Sequence, residues 1–263
     1  ADYLAVTELP TLRFRRNFDR SLANRYFKNI NVFVSLTGTF FFQKNNSDHA
    51  FQVFHKGYAD FTPSANISYD NYQLGQHHNI FTVNYARTTG YPTPDQLFPL
   101  VDSSNNYYIV LGNANLQPFK KDEVAFSFSH ETFSRNVFSY SANLSAGLIS
   151  DFFTDSTVID NLGRRKQYPV NLNGYRYLSA GGNLKKLLKL GENQFQFFLQ
   201  LQLNLKNSPN IVNAQQNTSY ISTKDGIVGT YYSFREILGI ELKQSYFNYT
   251  SRQGNLQTGS FKS

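Results

Sequence analysis

At 263 residues the chain has room for one or two domains, and its formal charge of +7 comes from 25 Lys and Arg against 18 Asp and Glu. The basic residues are dispersed, which argues against a nucleic-acid surface, and the absence of Cys excludes disulfides and thiolate metal sites. No stretch approaches the roughly 18 consecutive apolar residues of a transmembrane helix, although aromatics reach 16% with 25 Phe and 18 Tyr.

A membrane strand escapes that test, because it needs only about 9–11 residues with every second one facing lipid. The chain opens on ADYLAVTELP, which has neither a basic n-region nor an apolar h-region. No signal peptide is expected there, and with no Met the chain reads as processed, excised or incomplete. A first strand is expected around residues 10–17, with Leu12 and Phe14 on one face and Arg13 and Arg15 on the other. Residues 19–28 read as a connection. From 30 to 42 the even positions are Ile30, Val32, Val34, Leu36, Gly38, Phe40 and Phe42. Asn31, Phe33, Ser35, Thr37, Thr39 and Phe41 lie between them.

A long connection at 43–51, a short one at 71–77 and a long one at 87–121 separate the next strands. From 138 to 148, Phe138, Tyr140, Ala142, Leu144, Ala146 and Leu148 alternate with Ser139, Ser141, Asn143, Ser145 and Gly147. From 195 to 205, Phe195, Phe197, Leu199, Leu201, Leu203 and Leu205 alternate mainly with Gln and Asn. A looser run spans 234–246. Further short connections are expected at 134–136, 189–193 and 251–255, and long ones at 150–171 and 206–230.

Soluble strands average about 5–6 residues, and these runs are 11 to 13. Eleven residues at about 3.3 Å each cross a tilted path through a hydrocarbon core of ~30 Å. The expectation is an all-β fold: a single antiparallel up-and-down transmembrane β-barrel section over 1–263, with nine or ten strands in this chain. Short turns on one side and long loops on the other are the rhythm of outer-membrane barrels.

Residues 85–118 read YARTTGYPTPDQLFPLVDSSNNYYIVLGNANLQP. The segment resembles a signature of TonB-dependent outer-membrane receptors of the Bacteroidetes type. The matching residues are Tyr85, Arg87, Pro92 or Pro94, Gln96, Leu97, Pro99, Gly112, Asn113, Leu116 and Pro118. RNFDRSLANRYF, at 16–27, looks like the periplasmic turn region of these barrels, and the match is clearest over 10–150. The resemblance implies a bacterial outer-membrane wall for nutrient uptake, driven through TonB. Its partners would be outer-membrane lipid and lipopolysaccharide, the remaining barrel strands, a plug and a surface lipoprotein. Complete receptors carry an N-terminal plug and about 22 strands. This chain shows no plug and fewer strands, so it reads as a middle-to-late section. A scaffold subunit of a larger outer-membrane complex would keep the strands without a plug. A secreted, soluble β protein that binds glycans is a third reading.

No G-x-S-x-G, H-E-x-x-H or P-loop is present, and neither enzyme activity nor a cofactor is expected. Tyr91, Tyr107 and Tyr108, in the long connection, are the candidates for ligand contact, since Tyr offers a flat face and a hydroxyl. Arg13 and Arg15 are expected in the lumen near the periplasmic mouth, where a complete receptor could use them to hold its plug. His77 and His78 are adjacent in a short turn and would project apart, so no metal is assigned to them. Asp151, Asp155 and Asp160 read as solvated loop acids before a Ca²⁺ site.

Overall fold

The computed structural model describes residues 2–22, 25–46, 53–98, 107–133, 136–235, 237–254 and 256–262. Its strands are β1 (Asp2–Glu8), β2 (Thr11–Leu22), β3 (Tyr26–Asn46), β4 (Phe54–Gln73), β5 (His77–Gly90), β6 (Tyr108–Val110), β7 (Phe119–Thr132) and β8 (Phe138–Ser150). They continue with β9 (Phe152–Ile159), β10 (Arg165–Leu172), β11 (Tyr175–Leu190), β12 (Asn193–Val212), β13 (Gln215–Phe234), β14 (Leu238–Gln253) and β15 (Leu256–Lys262). One short helix, α1 (Pro94–Leu97), follows β5.

β1 and β2 pair with β3 in one unbroken register, from Asp2 opposite Asn46 to Leu22 opposite Tyr26, and form a single edge strand interrupted at Leu9 and Pro10. Proline has no N–H for a ladder and is tolerated at an edge. The Pro10 carbonyl still accepts a bond from the Gly38 N–H at 2.9 Å. With β1 and β2 counted as one, the described residues form eleven wall strands, in the order β1/β2-β3-β4-β5-β7-β8-β11-β12-β13-β14-β15. Each is antiparallel to the next along the chain. The sheet is open in the described residues, with β1/β2 and β15 as its edges.

The expected long connection at 206–230 does not exist. β12 and β13 run on to Val212 and from Gln215, joined by Asn213 and Ala214, both left-handed (φ 49° and 63°). That pair of positive φ angles belongs to the tight hairpin turn whose twist matches that of its strands. The added strand also moves each later connection to the opposite end of the wall. The turn at Gly254 lies at the long-loop end, and the short-turn end carries the connection after Phe234 instead. Residues 150–171 likewise hold the hairpin β9–β10. Its β9 pairs in parallel with Ile211 and Val212 of β12, and β10 pairs in parallel with β6.

Register assigns the faces. Val34 lies opposite Ala65, and the same row continues through Tyr85, Val124, Ala146, Leu178 and Leu205 to Ser222 and Thr250. The neighbouring row on the other face holds Phe33, Asn66, Asn84, Ala125, Ser145, Ser179, Asn204 and Thr223. One face is therefore an apolar belt and the other a surface of amides and hydroxyls. Large apolar side chains on the belt stay exposed, among them Leu144, Leu148, Leu201 and Leu242. The belt slides as it crosses the wall. In β3 it is centred near Val34 and Leu36, whereas on β14 that row has reached Thr250. There the apolar residues Leu238, Ile240 and Leu242 sit at the short-turn end. A belt that stays level while rows climb requires tilted strands, as in a membrane barrel.

Candidate functional site at the long-loop end

Buried apolar side chains are few. Phe54, Leu97 and Leu116 form the one buried hydrophobic cluster among the described residues, with Phe98 and Phe153 packed against it. They come from β4, α1, the segment before β7, and β9, so this core closes the polar face at its long-loop end. Phe54 and Phe98 stack with ring centroids 4.5 Å apart, and Phe119 meets Phe153 edge-on at 5.2 Å.

The chain reaches this position through the segment after β5. Tyr91 stacks on Phe41 at 4.2 Å and leans on Tyr58 at 5.6 Å. Phe41 and Tyr58 are directly opposite in the β3–β4 ladder, on the polar face. Burial pushes the Tyr91 hydroxyl above its usual range, and the nearby Asp60 carboxylate adds to the effect. Gln43, whose side chain is fully buried, donates to the Pro92 carbonyl and accepts from the Tyr3 hydroxyl, each at 3.2 Å. A buried amide with both ends satisfied fixes the approach of the loop to the wall.

The motif residues then close on one another. The Gln96 side chain accepts from the Thr93 N–H at 3.0 Å, and the Asn113 N–H donates to the Gln96 carbonyl at 2.8 Å. Asn113 also donates to the Pro169 carbonyl at 2.9 Å, and the Gln117 N–H donates to the Asn171 amide oxygen at 2.8 Å, tying the segment to β10. Gly112 sits against the Phe98 backbone. On β5, Arg87 makes a two-pronged bond to Asp122 of β7, at 2.8 and 2.9 Å, and Tyr85 donates to the same carboxylate at 2.7 Å. Lys120 and Thr89 converge on Asp60, at 3.1 and 2.6 Å. Pro99 lies outside the described residues.

Of the tyrosines singled out, Tyr91 belongs to the β3–β4 packing. Tyr107 and Tyr108 lie beside β10 and are exposed. Tyr108 donates to Gln167 at 2.8 Å under the Arg165 guanidinium. Arg13 and Arg15 lie opposite Ser35 and Phe33, on the face away from Leu12 and Phe14. Their height differs from the expected one, because Ser35 and Phe33 are mid-strand and the pair is not near the short-turn mouth. His77 and His78 do point apart: His78 bonds Asp70 at 2.8 Å while His77 stacks on His130.

Asp151, Asp155 and Asp160 are strung along the β9–β10 hairpin, from its base to its tip, and are not brought together. At the tip, Asp160 is held below the usual carboxylate range by the Arg164 guanidinium, with its carboxylate also accepting the Leu162 and Arg164 N–H groups. Sequence reasoning misses Gln43 and Asp60, two polar positions in strands whose partners lie tens of residues away.

A family model described as the outer membrane protein beta-barrel family matches residues 37–261, from the middle of β3 into β15. No curated protein matches the chain, and neither does any solved structure.

Proposed function

We propose that this chain, which belongs to the outer membrane protein beta-barrel family and resides in the bacterial outer membrane, supplies the wall of a TonB-dependent receptor for nutrient uptake. One observation carries the proposal. The segment resembling the receptor signature is no slack loop: it folds back onto the polar face, packs Leu97 and Leu116 against Phe54, closes Gly112 on Phe98, and is held to the wall by Gln43 of β3 through Pro92. A mouth built in this way narrows access to a lumen lined by neutral amides and hydroxyls such as Asn66, Asn84, Ser179 and Gln202. Such a surface suits polar solutes, which exchange hydrogen bonds with it one for one. In this reading the chain works with a plug and with TonB, has no catalytic role, and uses Tyr107 and Tyr108 as outer contacts.

The test uses the full-length protein in which this chain occurs. Immobilised periplasmic domain of TonB is expected to retain it, and planar bilayers are expected to show a closed pore that opens in urea as a plug unfolds. A protein not retained by TonB, whose pore conducts without urea, is instead the scaffold barrel, and the transport reading falls.

A further inference from the structure

We infer that one acyl chain of lipid A, the phosphorylated anchor of lipopolysaccharide, lies in a groove on the apolar face of β7, β8, β11 and β12, with a lipid phosphate on Arg176. The groove measures about 550 Å³ and is lined by Val124, Ala146, Leu148, Leu178, Leu205 and Arg176 among others. Val124, Ala146, Leu178 and Leu205 share one row of the ladder, so all point outward together. Ala146 is short where its row-mates are branched, which leaves a trough between them. The next row toward the long-loop end changes character, with Asp122, Leu148, Arg176 and Asn207 in succession. The trough therefore runs from hydrocarbon-type side chains to a charged head.

The charges at that head do not cancel. Asp122 is engaged on both oxygens by Arg87. With the Asn207 amide turned so that its oxygen faces Arg176, the Arg176 Nε lies 2.8 Å and Nη2 3.3 Å from it. A neutral amide orients a guanidinium without neutralising it, so two cations face one carboxylate at the boundary of the belt. In an outer-membrane barrel the long-loop end lies in the outer leaflet, where lipid A places phosphates directly above acyl chains. Guanidinium is the side chain best matched to phosphate oxygens. The inference rests on the membrane location and not on the transport reading.

The full-length protein, delipidated in detergent and titrated with bis-phosphorylated lipid A under native mass spectrometry, is expected to retain one molecule. Arg176→Gln is expected to lower retention about tenfold, the scale of one charge-assisted bond. Ala146→Leu, which fills the trough, is expected to do the same, and Lys186→Gln, on the same face at the short-turn end of β11, to change nothing. Heat-modifiable gel mobility confirms that each variant is folded. Unchanged retention by Arg176→Gln and Ala146→Leu overturns the site. So does equal retention of dephosphorylated lipid A or of phosphatidylglycerol, or an equal loss on Lys186→Gln.

Discussion

Gly112 occupies a position where any side chain meets main chain. A Cβ there would stand 2.2 Å from the Phe98 carbonyl carbon and 2.3 Å from its Cα and N. Backbone cannot swing aside as a side-chain tip can, so Gly112→Ala must part the two arms of the mouth element. The expected loss is ~1–3 kcal/mol, as for other overpacked sites. Limited proteolysis of the full-length protein in detergent should then cut faster within residues 91–118, and an unchanged cleavage pattern would count against the packing. A Gly-Asn pair in a sequence suggests left-handed backbone, yet Gly112 is not among the residues with positive φ. Close approach of two segments is invisible in a linear sequence, whereas a tight turn has a local signature. Gln43 is hidden for the same reason: a glutamine in an alternating strand reads as solvated until its partners at Pro92 and Tyr3 are known.

The β12–β13 hairpin shows where alternation ceases to inform. β12 repeats apolar and polar residues cleanly, but the same face of β13 carries Thr218, Tyr220, Ser222, Lys224 and Gly226 before Val228. Thr218 and Tyr220 lie opposite Pro209 and Asn207, above the belt, where no lipid demands an apolar side chain, while Ser222, Lys224 and Gly226 still lie opposite Leu205, Leu203 and Leu201. A strand that leaves the membrane loses the pattern by which it is recognised. Its turn is suboptimal in one respect, since Ala214 is left-handed with φ 63°. Ala214→Gly relieves the steric cost of an L-residue there and adds chain freedom to the unfolded state. The balance is a gain of ~0.5–1 kcal/mol. A higher urea midpoint by far-UV circular dichroism in detergent is the expected result, and a lower one would show that the turn is not strained.

At the scale of the whole sheet, the two faces make opposite demands on the same pair of adjacent residues. Leu144 lies in the outward row with Phe126, Ala180 and Leu203, and Asn143 in the inward row with Ser127, Gly181 and Gln202. Leu144→Arg is expected to cost ~2–4 kcal/mol in a bilayer, while Asn143→Arg, one residue away, is expected to be tolerated. Heat-modifiable mobility after reconstitution measures both, and equal effects would mean that the faces are assigned wrongly. The class of the fold is legible in the sequence because lipid writes a period of two into every strand it touches. The mouth is legible only as a motif, since its core joins Phe54, Leu97, Leu116 and Phe153 across long separations. The order of the wall has a further consequence, for how it comes to exist. Each wall strand is zipped to the one made just before it, so assembly advances by successive short closures of low entropic cost. The detour between β8 and β11 is spanned by a hairpin that braces itself against β12. The wall can thus grow like a hem sewn from one side, each new stitch anchored in the last, and its leading edge is always a single open strand.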